Sequence, residues 1–178
     1  MKFTLGILIL LLMHQTDSSF IYNAKEQNRN QKWYVVDDGV MGGLSQGKIQ
    51  LNDAGNLKYS GTVRTENNGG FSSVRYEFDT KNSSKYTFLV LKVKGDGKNY
   101  QFRIKEDKSQ RFYYISIFNT SGKWETIKIP LTNFYPSFRG NRLNRPNFDG
   151  QEMEEIAILI GNKTKENFVL EIEKIFLE

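Results

Sequence analysis

From Trp33 onward the chain is a series of short runs in which apolar and polar residues alternate, each closed by Gly, Asn, Asp or Pro. Leu89, Leu91 and Val93 stand opposite Lys92 and Lys94, and Tyr100, Phe102 and Ile104 stand opposite Gln101 and Arg103. A period of two puts every second side chain on one face of an extended segment, so such runs predict half-buried β-strands. They fall at 33–36, 47–51, 57–65, 71–78, 87–94, 100–104, 111–118, 124–129, 153–160 and 168–176. Asn52-Asp53-Ala54-Gly55-Asn56 is a hairpin signal between two neighbouring runs, and Gly95-Asp96-Gly97 turns one run into the next. The run 111–118 is apolar on both faces, which predicts a central strand or one that lines a groove. Residues 133–148 form the longest irregular stretch. About ten short strands with no long helical pattern predict an all-β fold, a β-sandwich. Neither an internal repeat nor a linker divides it, so 33–178 is expected to be one domain, with 20–32 as a lead-in segment.

The first residues follow a different rule. Lys2 gives a minimal positive start, Phe3 to Met13 an apolar core, and Gln15 to Ser19 a polar, small-residue exit. This is the order of a secretory signal peptide over 1–19 and predicts an exported protein, periplasmic or secreted. The apolar run is shorter than the roughly 20 residues a membrane-spanning helix needs, so no transmembrane segment is expected in the mature chain.

Composition removes several functions. The 178 residues include no cysteine, which excludes disulfides, thiolate nucleophiles and cysteine metal sites. The only histidine, His14, lies in the N-terminal segment. Without it the chain has no imidazole for a serine triad, a general base or an ordinary zinc site. The net charge of +5 is spread over 25 basic and 20 acidic residues without a long run of either sign, so nucleic acid is not an expected partner. Paired-carboxylate chemistry lacks a pair, since nothing in the sequence brings Glu66, Asp96, Glu106 or Asp149 together. No enzyme activity, cofactor or metal is predicted.

The most constrained stretch is Trp33 to Gly47, where Gly39, Gly42, Gly43 and Gly47 follow Asp37-Asp38. Its spacing is not that of a dinucleotide-binding turn. Trp33 with Asp38-Gly39-Val40-Met41-Gly42-Gly43-Leu44-Ser45 resembles the opening signature of the complex I intermediate-associated protein 30 family. The segments 66–75, 94–102, and Phe134 with Phe138-Arg139-Gly140 match further blocks in order, covering the chain from Trp33 to Phe176. The resemblance implies a galactose-binding-like jelly-roll β-sandwich without demonstrated chemistry of its own. It also implies a protein partner, because mitochondrial members help to assemble respiratory complex I.

Candidate binding residues come from these blocks and from the strands beside them: Asp38, Met41, Ser45, Glu66, Asn67, Arg75, Tyr100, Arg103, Phe138 and Arg139. Each has a plainer reading. Asp37 and Asp38 can ligate calcium or shape a turn by hydrogen bonding the backbone. Glu66, Asn67 and Asn68 can meet sugar hydroxyls or make an ordinary left-handed turn. Arg75 and Arg103 are solvated if their face is outer and convex, and form a clamp for a carboxylate or phosphate if it is concave. Tyr100, with Trp33, Phe102, Tyr113, Tyr114 and Trp124, belongs to the core or to a stacking platform. The aromatic and arginine residues from Phe134 to Arg145 suit an interface, or a loop packed back on the sheet. The function predicted is a non-catalytic binding or assembly module for a protein partner, the alternative being an exported carbohydrate-binding module.

Overall fold

Each of the ten alternating runs forms a strand in the computed structural model, which describes residues 19–26 and 32–178. The thirteen strands among these residues are β1 Phe20–Asn23, β2 Trp33–Asp37, β3 Gln46–Leu51, β4 Leu57–Val63, β5 Ser72–Asn82, β6 Phe88–Lys94, β7 Asn99–Lys105, β8 Tyr113–Asn119, β9 Trp124–Pro130, β10 Tyr135–Phe138, β11 Asn141–Arg142, β12 Glu152–Ile160 and β13 Glu166–Leu177. They make two antiparallel sheets, one of six strands in the order β3-β4-β13-β6-β9 with β1 added against β13. The other has seven, in the order β11-β10-β8-β7-β12-β5-β2. The architecture is the expected β-sandwich.

The core follows from alternation. Val74, Tyr76 and Phe78 of β5 point inward with Phe102 and Ile104 of β7 and Ile156, Ile158 and Ile160 of β12. Leu89, Leu91 and Val93 of β6 and Leu170, Ile172 and Ile175 of β13 meet them from the other sheet. Burying a side chain of this size stabilises the fold by roughly 1.5–3 kcal/mol. Tyr100 shares the parity of Phe102 and is 1 % exposed, stacked on Phe118. Its hydroxyl donates to Asp96 Oδ1 at 3.0 Å and to the Val169 carbonyl at 3.3 Å. A ligand-binding role for Tyr100 is therefore corrected: it is a core residue that ties β7 to β13.

Two stretches depart from the sequence reading. Residues 20–23 are not a lead-in but β1, which continues along β13 where β4 stops: β4 pairs with 166–172 and β1 with 174–176. Tyr22 is fully buried, with its ring edge-on to Trp33 at 5.2 Å and to Tyr76 at 5.7 Å. In sequence the apolar triplet Phe20-Ile21-Tyr22 is too short to carry a period, and only the open edge of β13 gives it a place. The irregular stretch 133–148 contains the hairpin β10–β11, whose two-residue turn is Arg139-Gly140 at φ 49° and 83°. The signal-peptide expectation for 1–19 falls, apart from Ser19, outside the described residues. Among the described residues no helix is long and apolar enough to cross a membrane.

Candidate functional site

The outward face of the seven-stranded sheet carries its polar residues in rows fixed by register. One row is Lys105 of β7, Glu155 of β12 and Glu77 of β5. The next is Arg103, Ala157, Arg75 and Tyr34, and the third is Gln101, Leu159, Ser73 and Val36. Arg75 and Arg103 thus flank one small residue across neighbouring strands, and their guanidinium groups lie 5.6 and 5.5 Å from the centre of the same ring, Tyr113. Lys105 Nζ lies 4.9 Å from that ring. The ring is held from below, because the Tyr113 hydroxyl donates to Glu155, which also pairs with Lys105 at 3.0 Å. Burial, then the bond to Glu155 and its charge, push the Tyr113 hydroxyl pKa well up, so it stays a donor.

The two arginines differ in their partners. Arg103 donates from Nε and Nη2 to the neutral Oε1 of Gln101, at 3.2 and 2.7 Å. Burial, partly offset by Tyr113, and the positive charge of Arg75 bring the Arg103 pKa down to about 10. Arg75 Nε is buried and has no hydrogen-bond partner. Unpaired buried donors are rare in folded proteins, and a charged one is more costly than a neutral one.

Above this floor lies an open groove of about 1000 Å³. Val40 of the 38–41 turn, with Gly69, Gly70 and Phe71, forms one wall. Phe138, Arg139 and Gly140 form the other, and Arg111 and Lys163 stand at the margin. The first wall is set by Asp38, which is 5 % exposed. Its Oδ1 accepts from the Ser45 N–H at 3.1 Å. Its Oδ2 accepts from Ser45 Oγ at 2.6 Å, the Gly70 N–H at 2.6 Å and the Phe71 N–H at 3.2 Å. Burial alone would raise its pKa, but these four bonds outweigh it and hold the carboxyl below 3.8. A Cβ at Gly43 or Gly69 would overlap Asp38's carboxylate, which is why glycine occupies both positions.

Asp37 is engaged likewise, accepting from the Gly47 N–H at 2.9 Å and Ser72 Oγ at 2.5 Å. The turn-forming reading of the two aspartates accounts for their hydrogen bonds. Asp38 and Ser45 therefore position the groove wall from behind it. Asn67, at φ 56°, donates from Nδ2 to the Gly42 carbonyl at 3.1 Å and joins the same wall. Glu66 is exposed and bonded to Arg64, whose guanidinium holds its carboxyl at about 2. Met41 closes the 38–41 turn. Arg75, Arg103, Phe138 and Arg139 are the candidates that line the groove itself. Val40 lay inside the 38–45 block and Tyr113 in the aromatic group, with a parity opposite to Tyr114 and Phe118, but neither was singled out; Arg111 and Lys163 carried no signal.

This combination, a two-sheet antiparallel β-sandwich with a groove across one sheet, is a galactose-binding-like jelly-roll fold. A family 11 carbohydrate-binding module of a Clostridium thermocellum cellulosomal cellulase has the same fold, at TM-score 0.60 and 18% identity over 83% of this chain and 88% of that one. Another structure of that module, in complex with a β-1,3-1,4-mixed-linked tetrasaccharide, aligns at TM-score 0.59 and 19% identity, over 82% of this chain and 88% of that one. The sequence narrows the class. Residues 22–172 match the model of complex I intermediate-associated protein 30, and the chain belongs to that family. It is 26% identical to the mitochondrial complex I intermediate-associated protein 30 of Mus musculus, over 86% of this chain and 54% of that protein. The Drosophila melanogaster protein of the same name is 22% identical over 76% of this chain and 53% of its own length. The chain spans about half the length of the curated relatives it matches.

These relatives overturn the expectation of export, since each is a mitochondrial protein by name. A short apolar N-terminal run after a single lysine is a weakly specific signal.

Proposed function

We propose that this chain is a non-catalytic binding module that engages a protein partner during the assembly of respiratory complex I in mitochondria. The observation that carries the reading is the convergence of three separate segments on one groove. The 38–45 loop, the 66–75 block and the 134–145 segment meet there, over a sheet floor that leaves Arg75 unpaired. Rigid sheets carrying shaped loops are common sites of recognition. Val40 strengthens the reading: it is 92 % exposed at the tip of a turn that Asp38 locks in place. Membership of a family named for association with a complex I intermediate supplies the partner class.

A second reading, carbohydrate binding, draws on one observation. Tyr34, 38 % exposed, and Tyr113 lie beside Glu77 and Arg75 on a face whose fold recurs in carbohydrate-binding modules. Such side chains stack on sugar rings and bond their hydroxyls.

The experiment is capture by the tagged chain from detergent-solubilised mitochondria, with a glycan array probed by the same preparation. Recovery of complex I subunits, reduced by Val40→Asp, supports the assembly reading. Val40→Asp at so exposed a position changes stability by less than about 0.5 kcal/mol, so lost capture reports binding. Glycan binding without complex I subunits replaces the first reading with the second.

A further inference from the structure

We infer that the groove recognises an acidic, partly apolar peptide segment, with Arg75 and Arg103 receiving its carboxylate above the Tyr113 ring. The inference rests on the partner reading and names the chemistry of what binds.

Charge complementarity carries it. Arg75, Arg103, Arg111, Arg139 and Lys163 line the groove, and no Asp or Glu does among the described residues. The nearest carboxylates are committed elsewhere: Glu155 to Lys105 and Tyr113, and Glu77 to the Tyr34 hydroxyl at 2.7 Å. Two guanidinium groups facing one ring repel each other, and the chain provides neither with an anion. Gln101 gives Arg103 a neutral acceptor, and the buried Nε of Arg75 has nothing. A carboxylate at the groove-facing ends of the two guanidinium groups would relieve the repulsion and give Arg75 the counter-charge it lacks. The planar fork of a guanidinium matches the two oxygens of a carboxylate.

A free inorganic anion would satisfy the floor and leave the walls wet. Val40 and Phe71 on one side, Phe138 on the other and Leu159 below are apolar, in a groove of about 1000 Å³. An extended peptide with Glu or Asp beside Leu, Val or Phe meets both requirements at once. Its carboxylate reaches the arginines while its neighbours cover the walls.

The test uses the full chain and fluorescein-labelled decapeptides in which one or two Glu residues stand among Leu, Val and Phe. A matched set carries Gln for every Glu, and binding is read by fluorescence anisotropy. The Glu peptides are expected to bind about tenfold or more tightly than the Gln peptides, with affinity falling as salt is added. Arg75→Gln together with Arg103→Gln brings the two sets to equal affinity. The Nε of Arg75 has no hydrogen-bond partner to lose, and a thermal melt checks that the doubly substituted chain keeps its fold. Arg111→Gln, at an exposed position, is an independent variant and weakens the Glu peptides about twofold to fivefold. Equal binding of Glu and Gln peptides, no binding of either, or tighter binding of an oligonucleotide or inorganic phosphate overturns the inference. If the doubly substituted chain still captures complex I subunits at the wild-type level, this inference falls and the partner reading stands. If the unsubstituted chain captures none, the partner reading itself falls.

Discussion

The carboxylate of Asp38 accepts the backbone N–H of Gly70 at 2.6 Å, joining the turn after β2 to the loop before β5. Asn at position 38 would turn an amide toward donors that now meet an acceptor. Asp38→Asn is expected to cost about 2–3 kcal/mol, measured as a lower midpoint in urea. The pH dependence follows from the lowered pKa. A carboxylate whose folded pKa is depressed contributes stability that is present above its unfolded value, here 3.8, and is lost as pH falls through the lower folded value. The wild-type chain should lose stability as pH falls below about 4, and Asp38→Asn should lose less of it.

Gly43 faces the same carboxylate from the other side. Gly43→Ala is expected to destabilise by about 1–3 kcal/mol, because the methyl group would displace Asp38 from its donors. Gly97→Ala is the comparison, since nothing lies near a Cβ there and only its φ of 85° resists the change. The larger drop in thermal midpoint should belong to Gly43.

Arg103 is a group whose charge the fold opposes. A base with its folded pKa lowered to about 10 is less stable at neutral pH than a neutral side chain of the same shape. Arg103→Met keeps the packing of the stem and is expected to raise stability by about 1–2 kcal/mol, seen as a higher urea midpoint. The cost carried by the wild-type arginine should ease as pH rises through about 10.

Arg139 occupies the first position of a two-residue hairpin turn at φ 49°, with its guanidinium 5.3 Å from the Phe138 ring. Left-handed backbone suits Asn or Gly there better than a long side chain. Arg139→Asn is expected to stabilise by about 0.5–1 kcal/mol in a thermal melt while lowering capture of the partner.

The strands were legible because a period of two is local, and each alternating run carries it within a few residues. The groove was not, because its floor is made by register. Arg75 and Arg103 each had the right parity in their own strands. Only β12, fifty residues beyond Arg103 in sequence, sets them on either side of Ala157. The hairpin β10–β11 was hidden by its length, since four residues and two leave no room for a period. Tyr100 was a different case. Alternation placed it with Phe102 and Ile104, and its position in a matching block drew attention to a residue the core had already claimed.

Both sheets are completed late. In one, β13 stands between β4 and β6; in the other, β12 stands between β5 and β7. Until those last two strands are in place, the sheets are pairs of narrow ribbons with open edges. Pairings so distant in sequence make folding slow, and exposed edges invite pairing with other chains. A protein built this way is most vulnerable to aggregation while it is being made. The edges that β12 and β13 cover stay open until residues 152–177 arrive.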